Sequence, residues 1–220
     1  MTVKLCIFDM DGTLMDSERW FVNAATLLME NENMPYGRDF LTSFIGVHAS
    51  EQQAIFERFH VREEDIRTFY EKLPAYNALY HKDHPFRTKK GVYELFAYLD
   101  KEGIFKTMAT TSLRSLVDYR MQDEDVRPYM ADIVYGDDIV HPKPAPDCFE
   151  LVLKRFSISP EEALVFEDST YGILAAKAAG IPVVYIPDVA SVSEEVRSQA
   201  DYILSSLSDA IPLIEKLNKE

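Results

Sequence analysis

The 220-residue chain is short of positive charge: 23 lysines and arginines face 37 aspartates and glutamates, for a formal net charge of -14 at pH 7. Such a chain repels nucleic acid and anionic membrane surfaces, so neither is expected as a partner. It also repels phosphate esters at long range, and a site for them needs cations placed locally. Cysteine is nearly absent. Cys6 and Cys148 stand far apart and in no metal-like spacing. A packing role for two reduced thiols fits a cytoplasmic protein. No apolar run approaches the roughly 18 residues needed to cross a bilayer. The first apolar run, Leu5 to Phe8, is too short for a secretion signal and ends at once in acid. Repeats and low-complexity segments are missing too. Hydrophobic residues at 47% and charged residues at 27% exclude a disordered or fibrous chain.

The pattern that is present divides in two. Val3 to Phe8 reads as a strand, cut off by acids and Gly12. From Ser17 to about His84 the periodicity is helical: Trp20, Phe21, Ala24, Leu27 and Leu28 share one face, and Pro35 and Gly37 interrupt it. Further amphipathic stretches cover about Ser50 to Phe59 and Glu63 to Tyr80, the second bent or broken at Pro74. The acids Glu63, Glu64 and Asp65 suit a helix N-terminus. After His84-Pro85, strands and helices alternate. Strands are predicted at Phe105 to Ala109, Ile133 to Tyr135, Ala163 to Phe166, Pro182 to Ile186 and Tyr202 to Leu204. Helices are predicted between and after them, one of them capped by Ser112. The alternation predicts an α/β fold: a Rossmann-like, doubly wound parallel sheet made of residues 1–16 and 85–220. Residues 17–84 then form an inserted all-helical cap domain.

Ligands of an open parallel sheet bind at the carboxyl ends of its strands. Asp9-Met10-Asp11-Gly12-Thr13-Leu14 stands at the first such end. Two carboxylates one residue apart repel each other unless a cation joins them, and magnesium prefers carboxylate, water and phosphate oxygens. Taken alone the segment could equally be a capped turn. Thr110, Thr111 and Ser112 follow the second core strand, where a hydroxyl can bond a phosphoryl oxygen. Lys143 sits in the proline-stiffened run His141-Pro142-Lys143-Pro144-Ala145-Pro146-Asp147 and supplies the local cation. Glu167 and Asp168 follow the strand at Ala163 to Phe166.

In this order, the four segments resemble the signature motifs of the haloacid dehalogenase superfamily, in its helical-cap phosphatase branch. The resemblance implies a magnesium-dependent phosphatase acting on a small phosphorylated metabolite, a sugar phosphate or nucleotide-like compound, through an aspartyl-phosphate. It makes Asp9 the nucleophile and Asp11 the acid and base. It gives Thr110 and Lys143, with Thr111 beside them, to the phosphate. The metal falls to the Asp9 carboxylate, the Asp11 backbone carbonyl and Asp168, with Glu167 ligating directly or through water. A monomer is expected. Dehalogenases and phosphonate-cleaving relatives generally lack an acid at position 11. A non-enzymatic phosphate-binding module would have lost Asp9 or Asp11. The closer rival is a sugar phosphomutase of the beta-phosphoglucomutase type, which carries a cap histidine and a cap arginine. Here Phe21 and Ala49 stand at those places, which counts against it. His48, in the loop Gly46-Val47-His48-Ala49-Ser50, is a candidate substrate contact.

Overall fold

A computed structural model describes residues 2–47 and 52–219. Its centre is a six-stranded sheet in the order β3-β2-β1-β4-β5-β6, with every neighbouring pair parallel. The strands are β1 (Leu5–Phe8), β2 (Phe105–Ala109), β3 (Asp132–Val134), β4 (Ala163–Glu167), β5 (Val183–Tyr185) and β6 (Tyr202–Ile203). All six lie where the sequence predicts them.

The two central strands are apolar at every position of β1 and at all but the last of β4, because both faces are covered. Side chains alternate between the faces, which sorts the core into two halves. Cys6, Phe8, Leu164 and Phe166 pack on one side against α5 (Val92–Glu102) and the helix Ala210–Leu217. Leu5, Ile7, Ala163 and Val165 pack on the other against α7 (Asp147–Phe156) and α8 (Thr170–Ala178). Phe8 stacks on Phe166 with ring centres 4.9 Å apart and meets the edge of Phe96 at 5.5 Å. Both cysteines are free and buried in these halves.

Between β1 and α5 the chain leaves the sheet, and its described residues form four helices: α1 (Ser17–Asn31), α2 (Arg38–Thr42), α3 (Gln52–Arg58) and α4 (Glu63–His81). They enclose an apolar core of their own, in which Phe44 lies 5.4 Å from Phe56 and 6.0 Å from Phe69. The outgoing and returning chain run side by side. Asp16 donates its backbone N–H to Arg87, and Lys89 donates to Leu14. Trp20 closes the junction, packing on Phe86 at 4.4 Å and donating its indole N–H to the carbonyl of His84 at 2.6 Å.

Of the bend or break expected at Pro74 the break is absent, and a second local expectation is corrected. Helix α4 runs through Pro74 as one element. The carbonyl that Pro74 leaves without a donor belongs to Tyr70, and both residues lie on the exposed face, where water can serve it. Ser112 does not cap the helix that follows. Helix α6 (Arg114–Arg120) is capped from across the sheet edge by Asp137, whose carboxylate accepts the Arg114 N–H at 2.7 Å. A carboxylate complements the helix N-terminus better than a hydroxyl does, and it leaves Ser112 free to turn inward.

Candidate active site

The carboxyl ends of β1, β2 and β4 meet beneath a cavity of about 480 Å³, roofed by the helical block. Asp9 is the first residue past β1, and its N–H is held by the carbonyl of Phe166 on β4. Beyond it the chain doubles back, with Leu14 and Met15 both donating to the Met10 carbonyl. The turn requires a glycine at position 12. Its φ is +78°, and a Cβ there would fall 2.1 Å from a carboxylate oxygen of Asp168. Gly12 thus lets the β1 turn lie directly on the end of β4.

Lys143 enters from the loop before α7 and is almost wholly buried. Its ammonium donates to Asp9 at 2.5 Å, to Glu167 at 2.6 Å and to the carbonyl of Ala109 at 3.1 Å. Three donors thus meet three acceptors, one on each of the three strand ends. Burial alone would lower the lysine's affinity for its proton, but Asp9 and Glu167 raise it well above the usual range. Burial pushes Asp9 up to about 7, with Lys143 pulling the other way.

The two acids after β4 are used differently. One oxygen of Glu167 accepts Lys143, and the other accepts the N–H groups of Asp168 and Ser169 and the Ser169 hydroxyl. Its carboxylate occupies the space of an absent side chain at Gly172, where a Cβ would lie 1.8 Å away. Asp168 accepts the Thr13 hydroxyl at 3.1 Å through one oxygen, and its other oxygen is buried without a partner. Burial and the repulsion of Glu18 and Glu167 hold Asp168 well above the ordinary carboxylate range.

Asp11 lines the same cavity as Lys143. The Ser17 hydroxyl bonds one of its oxygens. The Ser112 hydroxyl, at 2.8 Å, and the Arg120 guanidinium of α6 bond the other. Thr110 is buried, with its hydroxyl accepting the Ser112 N–H at 3.0 Å, while Thr111 is exposed on the cavity wall. Asp9, Asp11, Thr110, Thr111, Lys143 and Asp168 therefore line one space, with Glu167 directly beneath. His48 and Ala49 lie outside the described residues.

Several residues escaped the sequence reading. Glu18 and Asp188 join Asp168 in a second acidic trio, with one oxygen of each within 4.8 Å of the others. Both also keep a buried oxygen without a partner. Burial, then the charges of Asp11 and Asp188, raises Glu18 well above its ordinary value. Asp188 is held by Lys89 at 2.5 Å and Arg19 at 3.2 Å. Its place just beyond β5 was the signal that could have found it. Arg120 had none, being a basic residue in the last turn of a short helix.

A divalent cation fits this donor set. Asp9, Glu167 and Asp168 bring carboxylate oxygens within 4.8 Å of one another, and Asp168 offers a buried oxygen with nothing else to bind. The trio of Asp9, Glu167 and Asp168 faces one lysine, Lys143. Fully ionised, these four groups leave two negative charges, the complement of one divalent ion.

Chemistry of this kind belongs to hydrolases of phosphate esters, and comparison with known proteins gives the family. The model for haloacid dehalogenase-like hydrolases matches residues 6–186. The phosphorylated carbohydrates phosphatase of Thermotoga maritima is 34% identical over 195 residues, covering 83% of this chain and 84% of that protein. The (DL)-glycerol-3-phosphatase 2 of Arabidopsis thaliana is 31% identical over 219 residues, covering 94% of this chain and 88% of that one. A crystal structure described as a candidate beta-phosphoglucomutase, also from Thermotoga maritima, superposes with a TM-score of 0.77 at 25% identity, covering 98% of this chain and 100% of that one. The chain belongs to the haloacid dehalogenase-like hydrolases, and within them it is a phosphoric monoester hydrolase.

Proposed function

We propose that the protein is a magnesium-dependent phosphatase that hydrolyses a small phosphorylated metabolite, a sugar phosphate or nucleotide-like compound, through an aspartyl-phosphate on Asp9. The observation that carries the reading is Lys143, buried between Asp9 and Glu167 at the floor of a cavity that Asp11 also lines. It sets a nucleophile beside a fixed cation, with a proton carrier in the same cavity. Curated relatives that act on phosphorylated carbohydrates and glycerol 3-phosphate support the substrate range.

In the first step an oxygen of Asp9 attacks phosphorus as the bond to the ester oxygen breaks, and Asp11 delivers a proton to that leaving oxygen. In the second step water attacks the aspartyl-phosphate, Asp11 takes its proton, and the Asp9 carboxylate departs. Lys143 and the Thr110 hydroxyl hold the phosphoryl oxygens. Asp9, Asp168 and the backbone carbonyl of Asp11 would hold magnesium, with Glu167, which also orients Lys143, ligating directly or through water. With magnesium bound, positive charge is supplied at the phosphoryl oxygens and at Asp9. Residues 17–84 act as a cap that excludes water and selects the leaving group. A phosphate-release screen over phosphometabolites with magnesium tests the proposal. Asp9→Asn is expected to abolish release, and turnover equal to wild type would overturn the mechanism.

The mutase reading has one specific observation against it. Phe21, at the place of the mutase's cap histidine, presents carbon to the cavity. Conversion of beta-glucose 1-phosphate without phosphate release would reverse that judgement.

A further inference from the structure

The cavity has two kinds of wall. Phe21, Phe44, Val47 and Tyr70 of the helical block and Leu113 and Leu116 of the core are carbon-rich. The cationic residues among its described lining are Lys143 and Arg120. Lys143 is committed at the floor, to its three acceptors and, under the proposed mechanism, to the transferred phosphoryl group. Arg120 is not. Its Nη1 meets Asp11 and, at 3.3 Å, the Ser112 hydroxyl, while its Nε and Nη2 have no partner among the described residues. A basic residue in the last turn of a helix often only complements the helix dipole from solvent. Arg120 departs from that pattern, because its side chain is 22% exposed and folds back onto the site.

Its position selects what it can meet. Under the proposed mechanism the leaving oxygen sits within a hydrogen bond of Asp11. Arg120 bonds the same carboxylate, so its guanidinium lies about two hydrogen-bond lengths, roughly 5–6 Å, from that oxygen. This is the distance at which the first substituents of the leaving group sit. A chain of formal charge -14 with acids around this cavity gives an anionic leaving group few other places to bind. The Asp11 oxygen is also crowded, since the Ser112 hydroxyl donates to it and the Arg120 guanidinium pairs with it. An anion that draws Arg120 aside frees that oxygen for the leaving group.

We propose, resting on the phosphatase reading, that Arg120 is a specificity residue for a second anionic group on the leaving group. Within the proposed range, the favoured substrates are then those whose leaving group carries a carboxylate or a second phosphate, ahead of neutral sugar or alcohol phosphates. The guanidinium fork suits a carboxylate or a phosphate equally, and charge-assisted contacts of this type are the strong ones.

Matched ligands test this without turnover. With magnesium present, an Asp9→Asn protein would be titrated calorimetrically with 3-phosphoglycerate and glycerol 3-phosphate. The same titration would follow with 2-phosphoglycerate and glycerol 2-phosphate, and with pyrophosphate and methyl phosphate. The expected result is at least about tenfold tighter binding of the anionic member in one pair or more. That preference should fall to about twofold or less when Arg120→Ala is added and survive in part with Arg120→Lys. The glycerate pairs and the pyrophosphate pair separate a carboxylate from a phosphate as the recognised group. Equal affinities within every pair would overturn the inference, as would an Arg120→Ala loss shared equally by both members. A thermal melt shows whether the alanine variant is folded, and Arg120→Gln takes its place if it is not. Wild-type hydrolysis of p-nitrophenyl phosphate with magnesium reads the phosphatase proposal separately, so either can fail alone.

Discussion

Lys143 places its three protons on Asp9, Glu167 and the Ala109 carbonyl, and so ties together the ends of β1, β4 and β2. Removing that cation leaves two buried carboxylates facing each other. Lys143→Met is therefore expected to lower turnover by about 10²–10³-fold, as loss of a fixed electrostatic group does. It should also destabilise the metal-free fold by about 3–5 kcal/mol, the cost of breaking a buried pair. A phosphate-release assay and a denaturant titration check the two effects. The acids carry a further consequence. Asp9, Glu18 and Asp168 all have folded-state affinities for protons above their unfolded values. Such groups stabilise the fold fully below their unfolded values and lose that contribution as pH rises through the folded ones, which for Asp9 is about 7. In a chelator, the melting temperature should fall between about pH 5.5 and about pH 8, the window in which the surface carboxylates held low by partners are already ionised. Magnesium should raise it more at the upper end. A chelator melt that is flat or rising across this window would contradict the charge accounting of the site.

At the level of elements, α6 depends on a cap it does not itself contain. Asp137→Ala removes the acceptor of the Arg114 N–H and is expected to cost about 1 kcal/mol. In a chain of this length that is a fall of about 2–4 °C in melting temperature. Because α6 carries Arg120 at its other end, substrate affinity should weaken as well, and calorimetry on the Asp9→Asn background would read it. The strands were legible beforehand for a simple reason. Strands buried on both faces need apolar runs such as Leu5 to Phe8 and Ala163 to Phe166, and those runs show in one dimension. Asp9, Asp11, Lys143 and Asp168 could be nominated because each follows such a run or stands in a proline-stiffened loop. Arg120 and Glu18 could not, since their nearness to the site depends on how α6 and α1 pack, while Asp188 follows the β5 run and was overlooked there. Ser112 was misread for the same reason: its rival for the cap, Asp137, is remote in sequence and adjacent in space.

Over the whole molecule, the charge of -14 opposes the proposed substrate until it reaches the few cations at the cavity. Salt screens that repulsion over about 10 Å at 0.1 M. KM for an anionic phosphate ester is therefore expected to fall, by about two- to threefold, as ionic strength rises from about 20 to about 200 mM. Steady-state kinetics in sodium chloride check this. A rising KM would mean that Lys143 and Arg120 govern the approach of the substrate as well as its seating.

Trp20 lies on α1 against Phe86 and Tyr80, where the chain passes from sheet to helices and back, and it is the sole tryptophan of the chain. The protein thus has a built-in optical probe. Its ultraviolet emission comes from one indole at the seam of two bodies, so a movement of the helical roof over the sheet can be timed in stopped flow without attaching a dye.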